Sequence, residues 1–276
     1  MKLSVRLARW LAVAGVAGAT LLSAGPVMAA AFELAVSPSR FVVEGKSGER
    51  IGQSIELHNL GAQATEVAVR TIDWSFSEAG ELTFHDALQP GSCRPWVLLE
   101  RPRLTVPARG TRSFRFQIEV PKDAPRGECR FMVAIEGVEP AQSAVIQSGG
   151  ASLDLPVTGR IAVAVYARIN GAEPRLELKQ IGVRAINGKP MPFVTVHNAG
   201  DAHGRLDGGL DAADASGKPL TLLVDGSPVL AGQTRTLPFT ARGDDDRALP
   251  ALKFPLKAKG TLDWEKGGFK VDTELK

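Results

Sequence analysis

The chain has 276 residues, 33 Lys and Arg against 30 Asp and Glu, and 44% apolar side chains. The positive excess sits in the first 29 residues, where Lys2, Arg6 and Arg9 have no acidic counterpart, so the rest carries 30 charges of each sign. That balance argues against nucleic acid as a partner, and the remaining length, about 245 residues, suits one large or two medium domains.

Residues 1–29 read as a secretory signal peptide. Lys2, Arg6 and Arg9 are its positive region, Trp10 to Leu22 its short apolar region, and cleavage is expected after Ala29 or Ala31. The apolar run is too short for a membrane span. The mature chain is therefore expected to be exported, and export permits Cys93 and Cys129 to pair. With only two cysteines in the chain, a Cys93–Cys129 disulfide is predicted, worth roughly 4 kcal/mol in the chain-entropy model. Two separate thiols are the alternative.

From Ala31 to Glu139 the pattern is that of short strands. Ile51, Gln53, Ile55 and Leu57 alternate with Gly52, Ser54 and Glu56; Val67, Val69, Thr71 and Asp73 alternate with Ala68, Arg70, Ile72 and Trp74. Phe114, Phe116, Ile118 and Val120 form one face of a later strand. Turn signals every eight to twelve residues between such strands predict a β-sandwich. No amphipathic helix longer than about two turns is visible.

Ser152 to Ile169 is the longest regular stretch. Leu153, Leu155, Val157, Ile161, Val163, Val165, Ala167 and Ile169 fall on alternate positions, with Gly159 interrupting the row. Period two predicts a strand, here about three times the usual length. Its first half, where Asp154, Pro156 and Thr158 intervene, is expected to project as an apolar edge, with Leu153, Leu155 and Val157 exposed. Its second half, apolar on both faces, is expected to be a core strand. A strand folded back on its own sheet is the alternative.

Asn170 to Pro174 reads as a linker, dividing residues 31–169 from a second β domain over 175–276. The two halves share a pattern. Ser54 to Gly61 (SIELHNLG) matches Phe193 to Gly200 (FVTVHNAG), and Val106 to Phe114 matches Val229 to Leu237. The fold class expected is all-β, with two related sandwich modules.

Candidates for catalytic chemistry are few. His58 and His197 sit at matching strand ends, which suggests a structural role. His197 and His203 with Asp201 are a conceivable metal site, but their spacing fits no common ligand pattern. Asp244 to Asp246 read as an exposed loop, and no nucleophile elbow or phosphate loop is present. A binding protein that is not an enzyme, with no cofactor, is the expectation.

At Ser37 to Val43 and Glu128 to Ile169 the chain resembles the periplasmic pilus assembly chaperones of the chaperone–usher pathway, the PapD-like family. Arg40 in SRFVV falls where the family keeps an arginine in its first strand. Glu128 to Ile135 (ECRFMVAI) runs parallel to the family's E-S-L-F-x-x-N-L segment. Leu153, Leu155 and Val157 fall on its three apolar donor positions, and Arg160-Ile161 on its basic residue followed by isoleucine. The resemblance implies two immunoglobulin-like sandwiches in an L or boomerang arrangement, and a periplasmic chaperone. Such a chaperone binds pilin-like subunits by donor-strand complementation and passes them to an outer-membrane usher. It further implies a client surface of Leu153, Leu155, Val157 and Ile161, and a pair of cleft cations gripping the client's terminal carboxylate. Arg40 supplies one. The family's cleft lysine is replaced by Ala162, so Arg160, two residues earlier on the same face, supplies the second or is an exposed edge arginine. Ala134 stands for the family's asparagine, Glu139 for its proline, and Pro156 removes an amide from the donor strand. An exported structural or adhesive module without an exchangeable client is the alternative function. Self-association through the exposed edge is a further expectation.

Overall fold

A computed structural model describes residues 32–276 except 78–79, 139–141, 149–150, 158, 187 and 244–251; of residues 142–148, 151–157 and 186 it describes the backbone alone. The leader and the run from Asp244 to Asp246 lie outside the described residues. The first strands are β1 (Leu34–Ser37), β2 (Arg40–Gly45), β3 (Arg50–Asn59), β4 (Thr65–Phe76), β5 (Leu82–His85), β6 (Val97–Leu99), β7 (Arg103–Val106), β8 (Thr111–Glu119), β9 (Gly127–Gly137), β10 (Gln142–Ser148), β11 (Ala151–Val157) and β12 (Arg160–Ile169). A second group follows: β13 (Leu176–Ile186), β14 (Lys189–Asn198), β15 (Gly209–Ala213), β16 (Pro219–Val224), β17 (Thr234–Arg242), β18 (Leu256–Trp264) and β19 (Gly267–Leu275). The helix content among the described residues is one 3-10 turn, Arg94–Trp96. The fold is all-β.

The first sandwich packs the sheet β1-β3-β8-β6 against β2-β12-β9-β4-β5, with β7 also on β4. Alternation decides which side chains enter the core. Ile55 and Leu57 of β3, Phe114, Phe116 and Ile118 of β8, and Val163 and Val165 of β12 are all buried. Each such side chain contributes roughly 1.5–3 kcal/mol gross. Phe116 meets Phe41 and Phe131 edge-on at 5.5 and 6.2 Å. Cys93 and Cys129 are joined as a disulfide within this unit.

The long strand is in fact two. Arg160 lies opposite Glu136, and an unbroken ladder would set Val157 opposite Glu139. Val157 instead lies opposite Gln142, a shift of three residues, so β10 and β11 form a separate two-stranded sheet. Gly159, the position that interrupts the apolar row, still accepts from Gly137 N–H at 3.1 Å, so the break falls just before it. The two-faced apolarity of β12 also has a different cause from the one expected. Its odd residues face the sandwich core, while Ala162, Ala164 and Tyr166 belong to another cluster, which includes Leu230 of the second unit.

The second unit is a seven-stranded ribbon, β13-β14-β17-β16-β15-β18-β19, closed so that β13 lies against β19. Residues 234–238 of β17 pair with β14 and residues 239–242 with β16. Its core holds Leu206, Leu210, Leu222, Leu237, Phe239 and Leu262.

The internal repeat has a structural meaning. The Asn59 amide donates to the Gln63 and Val106 carbonyls, and its oxygen accepts from Gly61 N–H. Asn198 does the same with Ala202, Val229 and Gly200, and accepts also from Arg175 N–H. His58 pairs with Thr111 and His197 with Thr234, both at 3.0 Å. Each module thus pins two loops to one buried asparagine at a strand end. Because a stranded backbone amide or carbonyl is costly, Asn198→Ala is expected to destabilise the second module by on the order of 3 kcal/mol, and Asn59→Ala the first by somewhat less. Urea unfolding followed by hydrogen exchange in each module is the measurement.

Candidate functional site

The site begins with the second face of the five-stranded run β2-β12-β9-β4-β5. Ile72 and Trp74 of β4, Met132 and Ala134 of β9 and Tyr166 of β12 are buried on it, although they lie outside the first core. The second unit covers one end of this face. The His203 ring stacks on Tyr166, 3.8 Å between centroids and 27° between planes. Its backbone N–H and its Nδ1 both reach Glu128 Oε2, at 2.9 and 2.5 Å. Both side chains are nearly inaccessible, at 3% and 2%. Arg168, 7% exposed, donates to Glu265 at 2.7 Å and to the His203 carbonyl. Gln233 donates to the Phe76 carbonyl, and the Arg235 guanidinium lies 4.8 Å over the Phe76 ring. At the linker, Asp201 accepts from Arg126 at 2.5 Å and from Glu173 N–H at 2.7 Å.

Further along β12 the face is less covered, with Ala162 and Ala164 half-buried. Arg40 opens β2 opposite Ala164 of β12. It is exposed and has no hydrogen bond or ion pair among the described residues. Arg205 of the second unit reaches the same region. It donates to the Gly226 carbonyl at 2.7 Å and to the Tyr166 hydroxyl at 3.4 Å, and lies 5.9 Å over the tyrosine ring. Burial is the largest cause holding the Arg205 guanidinium below the ordinary arginine value, Tyr166 opposes it, and the positive charge of Arg40 adds to the lowering.

Arg160 does not join them. It lies four residues along β12 from the partner of Arg40, about 13 Å at strand rise. Its guanidinium is on Glu136 at 2.5 Å, and the same carboxylate takes two further bonds from Arg70. Arg160 is thus neutralised, because Glu136 is its cross-strand neighbour. Ile161 is half-buried against the first core, and Val163 and Val165 are fully buried. The side chains of Leu153, Leu155 and Val157 lie outside the described residues; their backbone is in β11, paired along one edge with β10.

The histidine and aspartate considered as metal ligands go to separate tasks: His197 to Thr234, His203 to Glu128, Asp201 to Arg126. No three potential ligand side chains gather among the described residues. The sequence did not single out Arg205, and His203, weighed as a metal ligand or as part of a solvated loop, is instead buried against Tyr166 and Glu128. Their positions in an irregular loop carry no periodicity, and the one available signal was Tyr166, the chain's single tyrosine, set in the even row of β12.

No family model and no curated protein matches the chain. Solved structures do resemble it. The YadV chaperone aligns over 88% of this chain and 100% of its own, at 13% identity and a TM-score of 0.48. The E. coli chaperone DraB aligns over 89% and 98%, at 15% identity and 0.45. A chain from the Salmonella enterica complex of SafA pilin with the SafB chaperone aligns over 88% and 97%, at 16% identity and 0.47.

The docked end of the face has a pH signature. The Arg168 hydrogen bond holds the Glu265 carboxyl below its ordinary value. A depressed carboxyl contributes fully above its undocked value and loses that contribution as pH falls through the docked one. Docking is therefore expected to loosen below about pH 4, read as faster hydrogen exchange at Tyr166 to Arg168. Glu265→Gln should remove part of that pH dependence.

Proposed function

We propose that the chain is a periplasmic assembly chaperone without enzymatic activity, which binds pilin-like subunits by lending them a strand and delivers them to an outer-membrane usher. The observation that carries this reading is the pair Arg40 and Arg205 beside the less covered stretch of the two-faced strand β12. Two cations suit a chain-terminal carboxylate, since Glu128, the acid that acts on Arg205, is already bonded to His203. Arg205 stands in for the cation that the resemblance puts at Ala162, and Arg160 stays with Glu136. The strand lent is β11. One edge pairs with β10, the other has no ladder partner among the described residues, and the start of β12 before Ala164 is likewise unpaired by β2. A client strand added along this line gains main-chain hydrogen bonds and takes Leu153, Leu155 and Val157 into its own core, with Ile161 continuing the row. Each buried aliphatic is worth roughly 1.5–3 kcal/mol gross, before the costs of ordering.

The test is capture of subunits from periplasm by the tagged mature protein. A small β-rich subunit is expected with the parent chain. Arg40→Ala and Arg205→Ala should each reduce capture at least tenfold with unchanged melting, while Arg160→Ala should have little effect. Leu155→Glu should abolish capture and leave the fold intact, because the alternation of residues 153–157 predicts an exposed position, where substitution is tolerated. A homodimer, or no partner at all, would favour an exported structural or adhesive module instead. Severe unfolding of Leu155→Glu would show that β11 serves its own fold.

A further inference from the structure

Gly159 separates the two halves of the long strand, and one aromatic side chain fills the space it leaves. A Cβ built at Gly159 would overlap the Cβ, Cγ and Cδ1 atoms of Phe32, so the ring lies directly on the glycine backbone. Phe32 is half-buried against the first core. It precedes β1, which belongs to the sheet opposite β12. The ring therefore bridges the two sheets at their seam. The seam is open there for a topological reason. β2 covers the edge of β12 only from Ala164 onward, which leaves Arg160 to Val163 without a ladder partner on that side.

A strand added at this uncovered edge would alternate its side chains between the two faces of the sheet. The one opposite Gly159 on the core face would need the volume that Phe32 now fills. The tie holding Phe32 is short: neither it nor Glu33 lies in a ladder, and the Glu33 carbonyl accepts one bond, from Leu60 N–H at 2.8 Å. We infer that Phe32 is a displaceable internal ligand, occupying in the free protein the seam pocket that a large apolar side chain of an incoming β-strand takes over on binding. The partner is an extended apolar-alternating strand, which rests on the chaperone reading for its source but not for its chemistry. The glycine is required because any other residue would expel the ring.

The test uses the full mature chain and a dansyl-labelled ten-residue peptide alternating valine with threonine and carrying one central phenylalanine. Phe32→Ala and Phe32→Ser both delete the ring and empty the pocket. Each is expected to bind the peptide at least tenfold more tightly than the parent chain, and replacing the peptide's phenylalanine with alanine should cancel the gain. Equal or weaker binding by folded variants would overturn the inference. So would loss of folding in both, because a side chain that leaves on binding cannot be what holds the sandwich together. Subunit capture from periplasm separates the two readings. A peptide gain without any captured subunit keeps the internal ligand and removes the chaperone, whereas capture without a peptide gain does the reverse.

Discussion

The contact on which the arrangement of the two units depends is the stack of His203 on Tyr166, with Glu128 beneath it. The five-stranded run of the first sandwich is apolar on both faces, and a buried sheet face needs a cover. The second unit supplies one, but an apolar cover alone could slide. The histidine gives the docking a single position, because its ring must lie on the tyrosine while both its backbone N–H and its Nδ1 meet one carboxylate oxygen. Glu128 is almost inaccessible, and its other oxygen has no hydrogen-bond partner. A buried carboxylate satisfied on one side is poorly tolerated without its hydrogen-bond donors, so the pair acts as a condition on docking more than as a source of net stability.

That docking also sets the electrostatics of the cleft. With His203 fixed, Arg205 two residues later is carried onto the edge of the same tyrosine ring and toward Arg40. Arg205 feels both the positive charge of Arg40 and the carboxylate of Glu128, while acids elsewhere on the face are already engaged. Glu136 is shared by Arg70 and Arg160, and Glu265 is held by Arg168. The charge of this region is thus set by how ion pairs are distributed, since residues 30–276 carry 30 charges of each sign.

Much of the fold was readable from period-two patterning, since each sandwich core recruits the alternate residues that the sequence displays. The repeated His-Asn-x-Gly turns were readable too, and the matching hydrogen bonds of Asn59 and Asn198 explain why those letters recur. The long strand was read as continuous because alternation survives across Gly159; a register shift changes which residues pair but not their period. The apolar even row of β12 was legible, yet a single sequence cannot say whether its cover comes from the same sandwich or another. Arg160 was weighed both for the cleft and as an exposed edge arginine; its ion pair with the cross-strand neighbour Glu136, from a distant segment, could not be read locally. Arg205 was invisible for the same reason, since its place is set by the docking of units and not by any local pattern.

The shared face has a bearing on the order in which the molecule is made. Every strand of the first sandwich has been synthesised by Ile169, while the residues that cover Tyr166, Met132 and Trp74 come later, at His203 and Leu230. A chain emerging from its N-terminus can therefore close its first core while a broad patch of aromatic and aliphatic surface is still bare. Exposed patches of that kind associate readily with one another. The interval between Ile169 and Leu230 is thus the stretch of biogenesis in which the nascent protein itself most needs protection.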